Sequence, residues 1–154
     1  MSFEYKNIVV AVDGSETAEH AFHKAVDIAN RNNATIILSH IVDTRAFATV
    51  EAYDRSLAMR AEKHAYEILE DYKKQAQEAG LDKIEIEIEY GSPKVKLTKD
   101  IAPKYNADLI ICGATGLNAM ERFFIGSVSE HITRSAKCDV LVVRDTDHAE
   151  ATEA

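Results

Sequence analysis

A chain of 154 residues with 46% apolar residues is long enough for one domain with a real core, and too apolar for wholesale disorder. Its 18 Lys and Arg against 26 Asp and Glu leave a formal net charge of -8. That argues against nucleic acid or an anionic membrane surface as the main partner, because both are held through Lys and Arg.

The first element is Ile8-Val9-Val10-Ala11-Val12, continuous, β-branched and closed by Asp13-Gly14, which reads as a strand buried on both faces. Ser15 suits the cap of a following helix, in which Ala18, Ala21, Phe22, Ala25, Ile28 and Ala29 keep helical spacing. Thr35 to Val42 is a second strand, and residues 43–50 are weakly patterned and read as a loop or irregular helix entry. From about Glu51 to Ala79 runs the longest helical pattern, with Leu57, Ala61, Ala65, Ile68, Leu69, Tyr72, Ala76 and Ala79 on one face and Gly80 as its stop. Ile84, Ile86, Ile88 and Tyr90 alternate with Glu85, Glu87 and Glu89, a strand with one wet face and most easily an edge strand. Ser92-Pro93 opens a helix to about Tyr105. Asp108 to Gly113 is a fourth strand, Ser127 to Ala136 a last helix and Asp139 to Arg144 a fifth strand.

Five strands alternating with four helices predict a single-domain α/β fold over residues 1–145, a doubly wound, five-stranded parallel sheet with helices on both faces. The acidic tail, residues 146–154, has little to bury and is expected to be mobile. Cys112 and Cys138 are too few for a disulfide scaffold, and each adjoins an apolar run, so reduced, buried thiols are expected. The opening residues show no secretory pattern and no apolar run approaches the ~20 residues that span a bilayer, so a cytoplasmic location is expected.

In doubly wound sheets ligands bind beyond the carboxyl ends of the strands, where the strand order reverses. The segment there with the most chemistry is Gly113-Ala114-Thr115-Gly116, followed by Arg122 and by Gly126-Ser127-Val128-Ser129. It leaves a buried strand, passes three glycines that allow positive φ and close approach, and enters a helix. The amides of Ser127, Val128 and Ser129 would point from a helix N-terminus toward an anion, with the hydroxyls of Thr115, Ser127 and Ser129 as further donors. Arg122 is the one fixed cation of this loop. The competing reading is an ordinary helix start, in which Ser127 and Glu130 form a capping box. Neither a P-loop nor a Gly-x-Gly-x-x-Gly fingerprint is present. On spacing alone Asp13 reads first as a turn former before Gly14, with ribose or metal binding as alternatives.

Gly113, Gly116, Gly126 and Ser127 follow the pattern Gly-x2-Gly-x9-Gly-Ser, which resembles the universal stress proteins, in particular their nucleotide-binding branch. The opening Ile8-Val-Val-Ala-Val-Asp13-Gly14-Ser15 and the ending Gly126-Ser-Val-Ser-Glu130 with Cys138-Asp-Val-Leu-Val-Val-Arg144 resemble the two ends of that family. The likeness covers about residues 5–145. It implies a Rossmann-like fold and an ATP site, with ADP or AMP as variants; the net charge of -8 and the single arginine of the loop then make Mg or Mn the expected counterion. In that site Ala11, Val12 and Asp13 would face the ribose, and Ile41 and Val42 the adenine. Gly113, Ala114, Thr115 and Gly116 would line ribose and phosphates, with Arg122, Gly126, Ser127, Val128 and Ser129 at the phosphates. Thr115 departs from the bulkier or basic residue of many members, and Asp139 from a proline that often follows Cys138.

Among the remaining polar residues, His40 in the second strand reads as a satisfied structural histidine. His20 and His23 do not make a metal site by spacing alone, and the Glu85, Glu87 and Glu89 row reads as a solvated face. No Cys/His cluster has zinc spacing. The edge strand Val140-Leu141-Val142-Val143 has no guarding charge and should be covered, as it would be in the homodimer through the last strand that the resemblance implies. With few groups for phosphoryl transfer in the loop, the expected function is a nucleotide-dependent regulator in stress response, with slow or no hydrolysis. The alternatives are a weak, autophosphorylating ATPase and a nucleotide-free dimeric adaptor.

Overall fold

The computed structural model describes residues 4–43, 55–114 and 125–144, and of residues 55–58 only the backbone. The acidic tail, most of the loop expected at 43–50 and the start of the long helix at 51–54 lie outside the described residues. The elements are β1 (Asn7–Ala11), α1 (Glu16–Asn32), β2 (Thr35–Asp43), α2 (Arg55–Glu78), β3 (Ile84–Gly91), α3 (residues 93–104), β4 (Leu109–Gly113), α4 (Ser127–Ser135) and β5 (Asp139–Val143). The strands form one parallel sheet in the order β3-β2-β1-β4-β5. The order reverses between β1 and β4, as the alternating pattern predicts for a doubly wound sheet.

Local chemistry sets the element ends. Ser15 caps α1, its Oγ accepting from the Ala18 N–H at 3.2 Å. Past α2, Gly80 takes a φ of +100°, a left-handed conformation that favours glycine, and the chain closes with the Leu81 N–H on the Ala76 carbonyl at 3.0 Å. Ser92 precedes Pro93 at the start of α3, although its side chain makes no capping bond. Farther on, α3 widens at Leu97–Ile101, where the Ala102 N–H reaches back five residues to the Leu97 carbonyl. Pro103 follows directly and lacks the N–H that a regular turn would need, so the wide turn falls where regular bonding stops.

The sheet is buried on both faces. One face joins Ile8, Val10, Ile36, Leu38 and Ile111 to Phe22 of α1 and Leu69 of α2. Val9, Ile37, Ile110 and Cys112 meet Leu97 and Ile101 of α3 and Ile132 of α4 on the other.

The edges lie as expected, β3 on one side and β5 on the other, but the glutamate row of β3 is solvated only in part: Glu85 is exposed and Glu89 half-buried, whereas Glu87 is buried. Glu87 is 9% exposed, its Oε1 accepting from Lys104 Nζ at 2.7 Å and its Oε2 from the Tyr105 hydroxyl at 2.8 Å. The end of α3 folds over this face of the edge strand, which a strand pattern alone does not reveal. Burial pushes the Glu87 carboxyl up, yet the bonds from Lys104 and Tyr105 outweigh it and hold the group below its ordinary value.

Candidate functional site

At the reversal point, β1 ends in a tight turn. Val12 is still tied to β2, its N–H donating to the Ser39 carbonyl at 2.8 Å. Its own carbonyl is met by His40 Nδ1 at 2.6 Å, so His40 is a satisfied histidine, as expected. Asp13 Oδ1 accepts from both the N–H (2.9 Å) and the hydroxyl (2.5 Å) of Ser15, and Gly14 adopts a φ of +85°. Asp13 is thus a turn former, as its spacing suggests, and the residue is exposed. On the far side of β1 from β4, Ile41 and Val42 are buried at the end of β2, in register with Glu89 and Tyr90.

Across the reversal point, β4 ends at Gly113 against the first turn of α1. A Cβ built on Gly113 would stand 2.6 Å from Thr17 Oγ1 and 2.8 Å from the Thr17 backbone carbonyl carbon. Glycine is therefore required here by space. The Ala114 N–H donates to the Val143 carbonyl at 2.8 Å, and the Gly126 N–H donates to the Ala114 carbonyl at 2.7 Å. The two ends of the glycine-bearing segment thus meet in one hydrogen bond.

Helix α4 begins differently from the capping-box expectation. Its N-cap is Gly126, at φ -62° and ψ 159°, so Ser127 is the first helical residue and no side-chain hydrogen bond caps the helix. A capping box needs its hydroxyl one position earlier, where glycine stands, and Glu130 pairs instead with Arg134. Gly126 itself has an ordinary extended conformation, so the positive φ expected of the loop glycines does not occur there. Buried Ser129 donates its hydroxyl to the Gly113 carbonyl at 2.5 Å, which fastens α4 to the end of β4 and leaves the Ser129 amide as its group at the helix terminus. Ser127 is exposed and Val128 half-buried.

Beneath this terminus lies Cys112, its thiol pushed up to about 11 by burial, with Ser129 acting weakly against that shift. Both cysteines are free, Cys112 buried and Cys138 half-buried.

Hydrogen bonds therefore join Gly113 and Ala114 to Ser129 and Gly126, while Ala11, Val12 and Asp13 lie at the end of the neighbouring strand β1 and Ile41 and Val42 at the end of β2, one strand farther on. Thr115, Gly116 and Arg122 lie outside the described residues. Sequence reasoning missed Thr17, which carries no local signal, and the His40 link to Val12, whose signal is a polar ring in an apolar strand. Among the described residues no three His, Cys, Asp or Glu are grouped to hold a metal, and no helix is long and apolar enough to cross a membrane. His23 lies near Glu19 at 3.8 Å on the exposed side of α1.

The family model of the universal stress proteins matches residues 4–144. A universal stress protein of Staphylococcus haemolyticus is 49% identical over 140 residues, 91% of this chain and 85% of that one. The solved structure of universal stress protein UspA from Lactobacillus plantarum is similar with a TM-score of 0.83 at 33% identity, covering 93% of this chain and 100% of that one. A universal stress protein in complex with cAMP is similar with a TM-score of 0.67 at 28% identity, covering 92% and 98%. Matched along nearly its whole described length, with the five-stranded parallel sheet and the reversal point in place, the chain belongs to the universal stress protein family.

Proposed function

We propose that this protein binds ATP at the reversal point and acts as a nucleotide-dependent regulator in stress response, with slow or no hydrolysis. The observation that carries the reading is the start of α4. Three amides, those of Ser127, Val128 and Ser129, stand at a helix terminus that no side chain caps, fastened to the end of β4 through the Ser129 hydroxyl. Such a terminus favours an anion. The similar protein that was solved with cAMP supports an adenine nucleotide as the ligand.

In this reading Gly126, Ser127, Val128 and Ser129 hold phosphates, with Thr115, Gly116 and Arg122 contributing from the intervening loop. Ala11, Val12, Asp13, Gly113 and Ala114 line the ribose, and backbone groups of Ile41 and Val42 the adenine. Apart from Arg122, these positions contain no Lys, Arg or His. Phosphoryl transfer needs cations at the γ-phosphate and a positioned nucleophile, so turnover is slow and Mg or Mn does most of the neutralising. The protein works in the cytoplasm as a homodimer joined through β5.

The test is calorimetric titration with ATP, with magnesium and then with EDTA, on the native chain and on Ser127→Pro and Ser127→Ala. Proline fits the first helical position, and Gly126 already has the extended backbone that must precede it, so Ser127→Pro removes one amide while keeping the helix. Losing one charge-assisted bond should weaken ATP about tenfold in Ser127→Pro and less in Ser127→Ala. EDTA should weaken it further in all three. A native chain that binds no ATP with magnesium refutes the function, and equal affinity in Ser127→Pro refutes the placement.

A further inference from the structure

We infer that His40 is a positioning residue that sets the sugar end of this site, an inference that rests on the nucleotide reading above. Val12 directly follows the last residue of β1, and β2 still holds it at both its N–H and its carbonyl. Its N–H donates to the Ser39 carbonyl at 2.8 Å, and its carbonyl lies 2.6 Å from His40 Nδ1. A carbonyl only accepts, so Nδ1 carries the proton, and in the neutral ring Nε2 does not.

The consequence reaches Asp13. No peptide bond among the described residues is cis, and a planar trans peptide fixes the Asp13 N–H opposite to the Val12 carbonyl. By holding that carbonyl, His40 sets the direction in which the chain enters the turn. Beyond it, Asp13 Oδ1 is occupied by the N–H and hydroxyl of Ser15, so the exposed carboxylate is held on its own side as well. Its second oxygen is then offered in one orientation to a sugar hydroxyl. Without the His40 bond, the Val12 carbonyl and the peptide that carries Asp13 are released together, whereas the amides at the start of α4 stay in place.

That division gives the test. The native chain, His40→Leu and His40→Asn are titrated, with magnesium present, against ATP, 2′,3′-dideoxy-ATP and inorganic tripolyphosphate. The native chain should prefer ATP over the dideoxy analogue. His40→Leu should reduce that preference about fivefold, the worth of one ordinary hydrogen bond, with tripolyphosphate affinity unchanged. His40→Asn, whose amide places a donor near the Nδ1 position, should restore it. A preference that survives in His40→Leu overturns the inference alone, whereas a native chain that binds no ATP overturns the nucleotide reading and this inference with it. Should His40→Leu not fold, imidazole nitrogen shifts of the native chain decide the matter. Proton on Nδ1 together with a shift of that signal on adding ATP supports the inference, and proton on Nε2 alone or an unmoved signal overturns it.

Discussion

Gly113→Ala should destabilise the fold before any effect on a ligand is considered. The added methyl would lie 2.6 Å from Thr17 Oγ1 and 2.8 Å from both Thr17 Cβ and the Thr17 backbone carbonyl carbon. Thr17 is buried in the first turn of α1, so turning its side chain relieves only part of the clash, and the helix must move by several tenths of an ångström. Overpacking of this kind costs about 1–3 kcal/mol, or a melting point lower by roughly 3–10 °C for a domain of this size. Urea unfolding at pH 7 measures it, with an unchanged dependence on denaturant showing that the same surface is exposed. Adding Thr17→Ala should recover part of the loss, since it removes the hydroxyl contact and leaves the backbone contact. A Gly113→Ala chain as stable as the native one would refute the close approach. The prediction also bears on function: weak ATP binding by a Gly113 variant reports on packing as much as on contact with a ligand.

Three other outcomes are expected. Replacing Glu87 by Gln should cost roughly 1–2 kcal/mol at pH 7, discounted for the exposed Lys104. The Glu87 carboxyl is held below its ordinary 4.5, so its contribution is present above that value and lost as pH falls through the lower folded value. Unfolding curves of the two chains should therefore converge below pH 4.5, and a gap of the same size in acid would count against the pairing with Lys104 and Tyr105. With its thiol at about 11, Cys112 is about 0.1% thiolate at pH 8 and buried besides, so Ellman's reagent should modify it only after urea is added. Equal rates in native and unfolded chains would contradict its burial. On the edge strand, Val142→Lys should convert a native dimer into a folded monomer in analytical ultracentrifugation. A native chain that sediments as a monomer at micromolar concentration would exclude the dimer.

The parts of the fold that the sequence makes legible are those set by neighbours along the chain. Ile8–Ala11 and Ile110–Cys112 are continuous apolar runs, and both lie in strands whose side chains pack into the cores on the two faces of the sheet. Ser15 and Gly80 end their helices through bonds within a few residues. Glu87 was not legible, because its alternating neighbours describe a strand with a wet face, while Lys104 and Tyr105 arrive from the far end of the next helix. At the candidate site, the spacing of Gly113, Gly126 and Ser127 singles out a segment whose two ends the fold joins, but not the structural duty of each residue. Gly113 answers to Thr17, 96 positions earlier, and Ser129 to a carbonyl on the preceding strand.

The start of α4 shows how a one-residue offset changes chemistry. With Ser127 at the cap, its hydroxyl would occupy an amide of the first turn, and Glu130 would bring a carboxylate back to the same place. With Gly126 at the cap, no side chain takes up the first-turn amides, and Glu130 turns to Arg134 on the next turn. This arrangement also answers the net charge of -8. Extended polyanions need an excess of cations over a surface, whereas acidic residues outnumber basic ones here. In the proposed reading, a single nucleotide needs donors at one point only, where amides act within a few ångströms and exposed carboxylates beyond ~8–10 Å are screened at ordinary salt.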